Sequence, residues 1–346
     1  MSESIFFASI RAFFTALFAM IGICVGIVPL IILIAAVAET STTEMDTTYT
    51  QEIVANAQGD RKSLAKETPV ILKINVEGVI GGESLSMGSI RKLLVESREG
   101  SLANNRVKAI LLRINSPGGT VVDADGIYHA IKDYKERYKI PVYAHVDGLC
   151  ASGGMYAACA ADKIFASDVS LIGSVGVIVP SFLNFTQLID KVGVQALTLS
   201  AGKDKDLLNP LRPWRPEEPK IFQDLIDYFY LHFVNIVVEN RPHLDKNKLI
   251  NDYGANIFNA VRAQEYGFID AVENTQEGTL KRLLKQINIE DDNYQVIEMQ
   301  RKTWFSELFK SEWPLLKGKI IHQIQLSPDF DSKLEGRFLY LYRLEK

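Results

Sequence analysis

Between Pro69 and Val272, short strand-forming runs alternate with helix-forming ones, and this alternation limits the possible folds more than any other feature. "VILKINVEG" (70–78) reads as a strand, "SIRKLLVESRE" (89–99) as a helix, "VKAILLRINS" (107–116) as a buried strand and "DADGIYHAIKDYKERY" (123–138) as a second helix. "PVYAHVDG" (141–148) is another strand, "SGGMYAACAA" opens a short helix, and "DKIFAS", "LIGSVGVIV" and "VQALTLSAG" supply shorter strands. A long helix follows, "EEPKIFQDLIDYFYLHFVNIVVEN" (217–240), and "AVRAQEYGFIDAV" (260–272) reads as helix, glycine stop and strand. Such alternation implies an α/β domain with much parallel sheet. At 346 residues the chain has room for one large domain with appendages.

The N-terminal segment is of another kind. "AFFTALFAMIGICVGIVPLIILIAAVA" (12–38) carries no charge over 27 residues. As a helix it is about 40 Å long, enough to cross a hydrocarbon core of about 30 Å with tilt. "AVA" at 36–38 resembles a cleavage site, so a signal peptide is the alternative to an anchor, although its apolar run is about twice the usual 7–15 residues. Arg11 precedes the run, and Glu39, Glu44 and Asp46 follow it. Positive charge stays inside, so the N-terminus is expected in the cytoplasm and the soluble domain on the outer, periplasmic or extracellular, side. The expected division is an anchor over 1–40, a polar tether over 41–68, the α/β domain over 69–272 and a C-terminal extension over 273–346 for docking or oligomerisation. Within that extension "WFSELFKSEWPLL" (304–316) is aromatic and amphipathic, suited to docking or to a membrane surface.

The net charge of −4 lacks the signature of a polyanion-binding protein, so no nucleic-acid partner is expected. The cysteines at 24, 150 and 159 form no CxxC pair or Cys/His cluster, so neither a metal nor another cofactor is expected. Cys150 and Cys159 read as small buried apolar residues, with a disulfide between them left open.

Three stretches bear on chemistry. "INSPGG" (114–119) is a buried strand broken by proline and two glycines, whose N–H groups stand unobstructed. On its own it reads as an ordinary turn. In "CASGGMYAACAADK" (150–163), Ser152 lies at a strand–helix junction ahead of Gly153 and Gly154. A hydroxyl there sits at the positive end of a helix, and the small residues also suit close packing. "SAGKDKDLLNP" (200–210) places Lys203 and Lys205 in a loop, the ordinary setting of solvated lysines.

In order and spacing, "INSPGGT", "CASGGMYAACAADKIFA", "SLIGSVGVIV" and "AGKDKDLLNP" resemble the signal peptide peptidase A family of membrane-bound Ser–Lys proteases, over roughly residues 70–272. The resemblance implies the crotonase-like fold shared with the Clp protease proteolytic subunit, a repeated β-β-α superhelix, here behind an N-terminal transmembrane helix. It implies Ser152 as nucleophile and Lys205 as base, through the Gly-x-x-Lys-Asp segment Gly202–Asp206, with Lys203 two positions short of that register. It further implies Ser174 as the group that orients the lysine, and Gly119 and Gly153 as the oxyanion hole. The implied substrates are remnant signal peptides or other short hydrophobic peptides near the membrane. The implied assembly is a homo-oligomer in which the lysine meets either its own serine or a neighbour's.

The chemistry asks for the same parts. A serine hydroxyl attacks only when a base takes its proton, and a lysine does so only when desolvation has neutralised it. Acyl transfer also needs donors aimed at the developing oxyanion. A Ser–His–Asp triad is the rival mechanism, but none of the histidines, at 129, 145, 232, 243 and 322, follows the serine at the Clp spacing. Two other classes stay open: a crotonase-type acyl-CoA enzyme on the same fold, and an inactive membrane scaffold.

Overall fold

The structure is a computed structural model that describes residues 11, 13–23, 25–26, 48–65, 67–82, 84–301 and 339–342. Its strands are β1 (Tyr49–Val54), β2 (Val70–Glu77), β3 (Val107–Ser116), β4 (Gly118–Thr120), β5 (Val142–Ala151), β6 (Lys163–Ala166), β7 (Leu171–Gly173), β8 (Ile257–Asn259), β9 (Ala271–Val272), β10 (Gln295–Arg301) and β11 (Leu339–Leu341). Its helices are α1 (Phe13–Ile23), α2 (Met87–Glu96), α3 (Val121–Tyr138), α4 (Gly153–Ala158), α5 (Thr186–Lys191), α6 (Glu218–Asn240), α7 (Lys246–Lys248), α8 (Ala260–Tyr266) and α9 (Gln276–Gln286).

The chain divides into two compact units, residues 1–48 and 49–346. In the first, α1 is an apolar helix, and residues 12, 24 and 27–38 of the expected anchor lie outside the described residues. Among the described residues one helix, α6, is long and apolar enough to cross a membrane. Its Phe233, Val234, Ile236 and Val237 are buried in the core of the second unit.

That second unit is a mixed α/β structure around one large sheet, ordered β1-β10-β2-β3-β5-β6-β9, in which every neighbour after β10 runs parallel. β1 lies antiparallel on β10, and β7 bridges from β5 to β8. β2 and β3 are covered on both faces, which is why they read as near-continuous apolar runs. Helix boundaries follow local chemistry. Thr120 caps α3 by accepting from the Asp123 N–H, Asn259 caps α8 through the Arg262 N–H, and Gly267, at φ 92°, ends α8 in the left-handed region.

The structure corrects four expectations. "VQALTLSAG" forms no strand: its residues are exposed and, among the described residues, no strand pairs with them. The expected tether contains β1, a strand of the sheet. The expected extension supplies α9, β10 between β1 and β2, and β11. "PGG" is less a turn than the entry to β4, and β11 pairs with it. The aromatic stretch 304–316 lies outside the described residues.

Parallel pairing of β3 with β5 brings their C-terminal ends to one edge of the sheet. The glycines after β3 and the serine after β5 meet there, where α/β folds place their sites.

Candidate active site

Ser152 is the junction between β5 and α4. Its backbone has φ 53° and ψ −117°, a conformation a residue bearing a Cβ rarely adopts, with a strain of roughly 1–3 kcal/mol. The N–H of Ser152 donates to the Gly173 carbonyl at 2.9 Å, which pins the strained residue to the end of β7. Its side chain does not cap α4 and instead faces the Gly176 carbonyl, with Oγ 3.5 Å away. The residue is 1% exposed.

The two predicted oxyanion glycines stand beside each other. A Cβ on Gly153 would lie 3.1 Å from the Gly119 nitrogen and 3.2 Å from the Gly118 Cα. Gly153 is the first residue of α4, so its N–H has no partner within the helix. Gly118 takes φ 96°, and its N–H donates to Ser116 Oγ at 3.1 Å, which fixes the approach of β4. Ser174 lies near by, buried and also at positive φ, with its N–H on the Asn256 carbonyl at 2.7 Å. Among the described residues no hydrogen bond joins its hydroxyl to Ser152 or Lys205.

A peptide segment already lies in this cleft, and it is the chain's own. β11 pairs antiparallel with β4, Tyr340 opposite Gly119, and the Tyr342 N–H donates to the Pro117 carbonyl at 2.7 Å. In that register the Gly119 N–H faces the Tyr340 carbonyl oxygen. The same oxygen would lie 3.0 Å from a Cβ on Gly153. On its other edge the segment exchanges both backbone hydrogen bonds between Leu339 and Ile178, each 3.0 Å. The Tyr340 ring is fully buried between Tyr156 and Phe233, and its hydroxyl donates to the Phe229 carbonyl at 2.9 Å. Nothing in "FLYLYRLEK" (338–346) pointed to this role. The available signal was the alternation of apolar with aromatic residues in an isolated run.

Lys205 lies apart from this cluster. It is exposed, and its N–H donates to the Gly202 carbonyl at 3.4 Å, but among the described residues no hydrogen bond or ion pair joins its side chain to Ser152 or to any other group. The loop around it is nonetheless braced. Its flanking carboxylates are taken by arginines, Asp204 by Arg215 at 3.1 Å and Asp206 by Arg212 at 2.7 Å. Both arginines also reach Glu218, at the start of α6, at 2.8 Å. Burial pushes the Glu218 carboxyl up, but the two guanidinium groups and the Leu208 N–H outweigh it and hold the pKa at about 2. Hydrogen bonds from Arg212 and Asn209 likewise lower Asp206. Among the described residues Lys205 is thus without a counter-ion, between two carboxylates engaged elsewhere, and it lines a cavity of about 350 Å³ with Ser200, Gly202 and Arg215.

The histidines have other partners. His145 is buried, bonded to Thr279 Oγ1 at 2.8 Å, and burial lowers its pKa. His129 and His232 both approach Asp125. Cys150 and Cys159 are free, and burial raises both thiols, Cys159 to about 12. Among the described residues no group of metal-ligating side chains is assembled.

Known proteins resemble this chain in sequence. The model of peptidase family S49 matches residues 134–290, which include Ser152 and Lys205, and that of Clp protease matches 89–170. A protein of Enterococcus faecium, named by inference as signal peptide peptidase SppA, is 32% identical over 265 residues, 72% of this chain and 73% of the relative. A protein of Methanocaldococcus jannaschii, named by inference as a protease, is 34% identical over 195 residues, 56% of this chain and 60% of the relative. Among solved structures, a ClpP1 mutant from Listeria monocytogenes aligns with a TM-score of 0.40 at 18% identity, over 62% of this chain and 96% of that one.

Proposed function

This chain belongs to peptidase family S49, the signal peptide peptidase A family, and from that premise we propose that it is a membrane-anchored serine endopeptidase with a Ser152–Lys205 dyad. Ser152 Oγ attacks the scissile carbonyl while the neutral amine of Lys205 takes its proton. The tetrahedral oxyanion is received by the N–H groups of Gly119 and Gly153, and the lysine then returns the proton to the leaving amine. Water, activated by the same lysine, releases the acyl group from Ser152. Ser174 orients the amine. The substrates are remnant signal peptides or other short hydrophobic peptides close to the membrane, and the catalytic domain faces the outer side.

The observation that carries this reading is the extended segment around Tyr340. A cleft that pairs with a peptide on both edges, and lays one carbonyl against the Gly119 N–H, is shaped for a polypeptide backbone rather than for an acyl-CoA.

The lysine comes from a neighbouring copy in a homo-oligomer. In one chain it is exposed, on a segment whose Phe182, Leu183, Leu188, Leu197 and Leu199 are exposed too. So much uncovered apolar surface calls for a partner. Burial there also supplies the desolvation that a lysine base requires.

The test is covalent. A fluorophosphonate should label Ser152 in the full chain, with the adduct located by mass spectrometry. Ser152→Ala and Lys205→Ala should each abolish peptide hydrolysis, and mixing the two variants should restore part of it. Hydrolysis by purified Lys205→Ala would overturn the dyad, and two inactive variants that fail to complement would place the lysine in its own chain.

A further inference from the structure

A second cavity lies at the end of the sheet opposite to Ser152. It has a volume of about 620 Å³ and sits where Pro69, Val107 and Pro141 lead into the parallel strands β2, β3 and β5. Helix α3 separates it from the cleft. Thr120, next to Gly119, caps the start of that helix, and Tyr138 at its far end lines the cavity, about 27 Å away. The catalytic scheme uses none of this surface.

Four cations stand around the cavity: Arg98, Lys108, Arg137 and Lys139. Among the described residues no carboxylate lines it, and none of the four is in an ion pair. By contrast, Arg113, Arg212, Arg215, Arg241 and Arg282 all meet carboxylates. Helix ends account for part of the charge, since Arg98 follows α2 and Arg137 and Lys139 close α3. Lys108, on β3, serves no helix, and Arg98 is fixed more closely than a helix end requires. Its guanidinium lies 3.7 Å from the centroid of the Tyr138 ring and 4.6 Å from that of Tyr134. Nη1 donates to the Val107 carbonyl at 3.3 Å, while Nε and Nη2 are buried without a hydrogen-bond partner among the described residues. A charge so desolvated ordinarily has a counter-ion. Beside the cations the lining is apolar, through Ile140, Pro141, Ile287 and Ile289.

We propose that this cavity binds a phosphate-bearing small molecule, its phosphate received by Arg98, Lys108, Arg137 and Lys139 and its apolar portion lying on Ile140, Ile287 and Ile289. A phosphate ester brings about two negative charges and three acceptor oxygens, enough to answer several cations at once. A guanidinium matches that geometry with a planar fork, and lysines add point charges. A carboxylate brings a single charge. The volume suits a nucleotide or the head of a lipid. The inference stands whether or not Ser152 hydrolyses peptides.

The experiment titrates the full-length chain, in neutral detergent at fixed ionic strength, by isothermal calorimetry. The probes are inorganic phosphate, ATP, hexyl phosphate and hexanoate. ATP or hexyl phosphate should bind at least ten-fold more tightly than inorganic phosphate, and hexanoate should bind more weakly than either ester. Lys108→Gln, Arg137→Gln and Lys139→Gln combined, all at exposed positions, should weaken the preferred ester at least ten-fold. Lys246→Gln, Lys248→Gln and Arg262→Gln combined remove the same charge from other exposed positions and should leave its affinity unchanged.

A preference for ATP assigns the cavity to soluble nucleotides and a preference for hexyl phosphate to lipid headgroups, and either supports the proposal. If the cavity variant does not fold, acetylation of the native chain reads the same contact, with Lys108 and Lys139 protected by the ester and Lys246 not. Three results would overturn the inference: esters no tighter than inorganic phosphate, a cavity variant that binds like the native chain, or an equal loss in the remote variant. Unprotected Lys108 and Lys139 would do the same.

Discussion

The Tyr340 carbonyl oxygen lies against the Gly119 N–H, on the glycine strand that adjoins Ser152. The chain's own tail thus occupies the place where a substrate carbonyl would be polarised. Two edges of backbone hydrogen bonds and a fully buried ring hold it there.

A tail in the cleft lowers the fraction of molecules open to substrate, and apparent affinity falls by that fraction. A chain ending at residue 338 should therefore hydrolyse added peptides several-fold faster at concentrations below KM. It should also melt earlier, because emptying the site of a buried aromatic ring costs about 3–5 kcal/mol. Initial rates and a melting curve on the same preparation check both. Unchanged rates in a folded truncated chain would show that the tail does not compete.

The strained backbone of Ser152 gives a second expectation. At φ 53° a glycine relieves strain that serine and alanine both carry. Ser152→Gly should be inactive yet more stable than the native chain by about 1 kcal/mol, within the range for such sites. Ser152→Ala should be inactive with no such gain. The denaturant midpoint separates the two, and a Ser152→Gly chain no more stable than the alanine variant would count against strain at the nucleophile.

What was legible in the sequence was local. The Ser152 junction and the glycines of 118–119 are read within a few residues, because the features that make them special are small side chains next to a strand end. The β10 strand in mid-sheet was not, since its partners β1 and β2 lie more than 200 residues away and only tertiary pairing makes it a strand. "VQALTLSAG" erred in the opposite direction: its composition suits a strand, but among the described residues no strand edge pairs with it. Tyr340 was invisible for a third reason. Its meaning depends on a pocket built by Tyr156, Phe229 and Phe233 from two separate helices.

The brace of the lysine loop should respond to pH. Glu218 is held at about 2 against an ordinary 4.5, so it binds fewer protons folded than unfolded. Its stabilisation is fully present above about 4.5 and is lost as the pH falls towards about 2. Melting temperature followed downwards from pH 6 should drop through this window, and the drop should be smaller in Glu218→Gln. At neutral pH the variant leaves Arg212 and Arg215 without their shared carboxylate, so Lys205 should lose its placement. Labelling of Ser152 by a fluorophosphonate should slow accordingly. A variant with native labelling rate and native acid sensitivity would show that the arginine pair positions the loop without Glu218.

The two oxyanion glycines should fail in different ways when given a methyl group. At Gly119 a Cβ would overlap the Ile80 carbonyl oxygen and lie 2.7 Å from the Ile80 nitrogen. Ile80 is tied to β4 by hydrogen bonds to the Gly118 carbonyl and from the Thr120 N–H, so backbone must shift and Gly119→Ala should lower the melting temperature. At Gly153 the nearest atoms are the Tyr340 carbonyl oxygen at 3.0 Å, the Gly119 nitrogen at 3.1 Å and the Gly118 Cα at 3.2 Å, close contacts that small shifts relieve. Gly153→Ala should therefore fold normally. Its methyl group, however, occupies the approach of any substrate carbonyl to the two N–H groups. Loss of one such donor lowers kcat by about 10²–10³, and crowding the hole should have an effect of that order. Circular dichroism melts and kcat/KM on the two variants read the difference, and full activity in Gly153→Ala would mean that the oxyanion is received elsewhere.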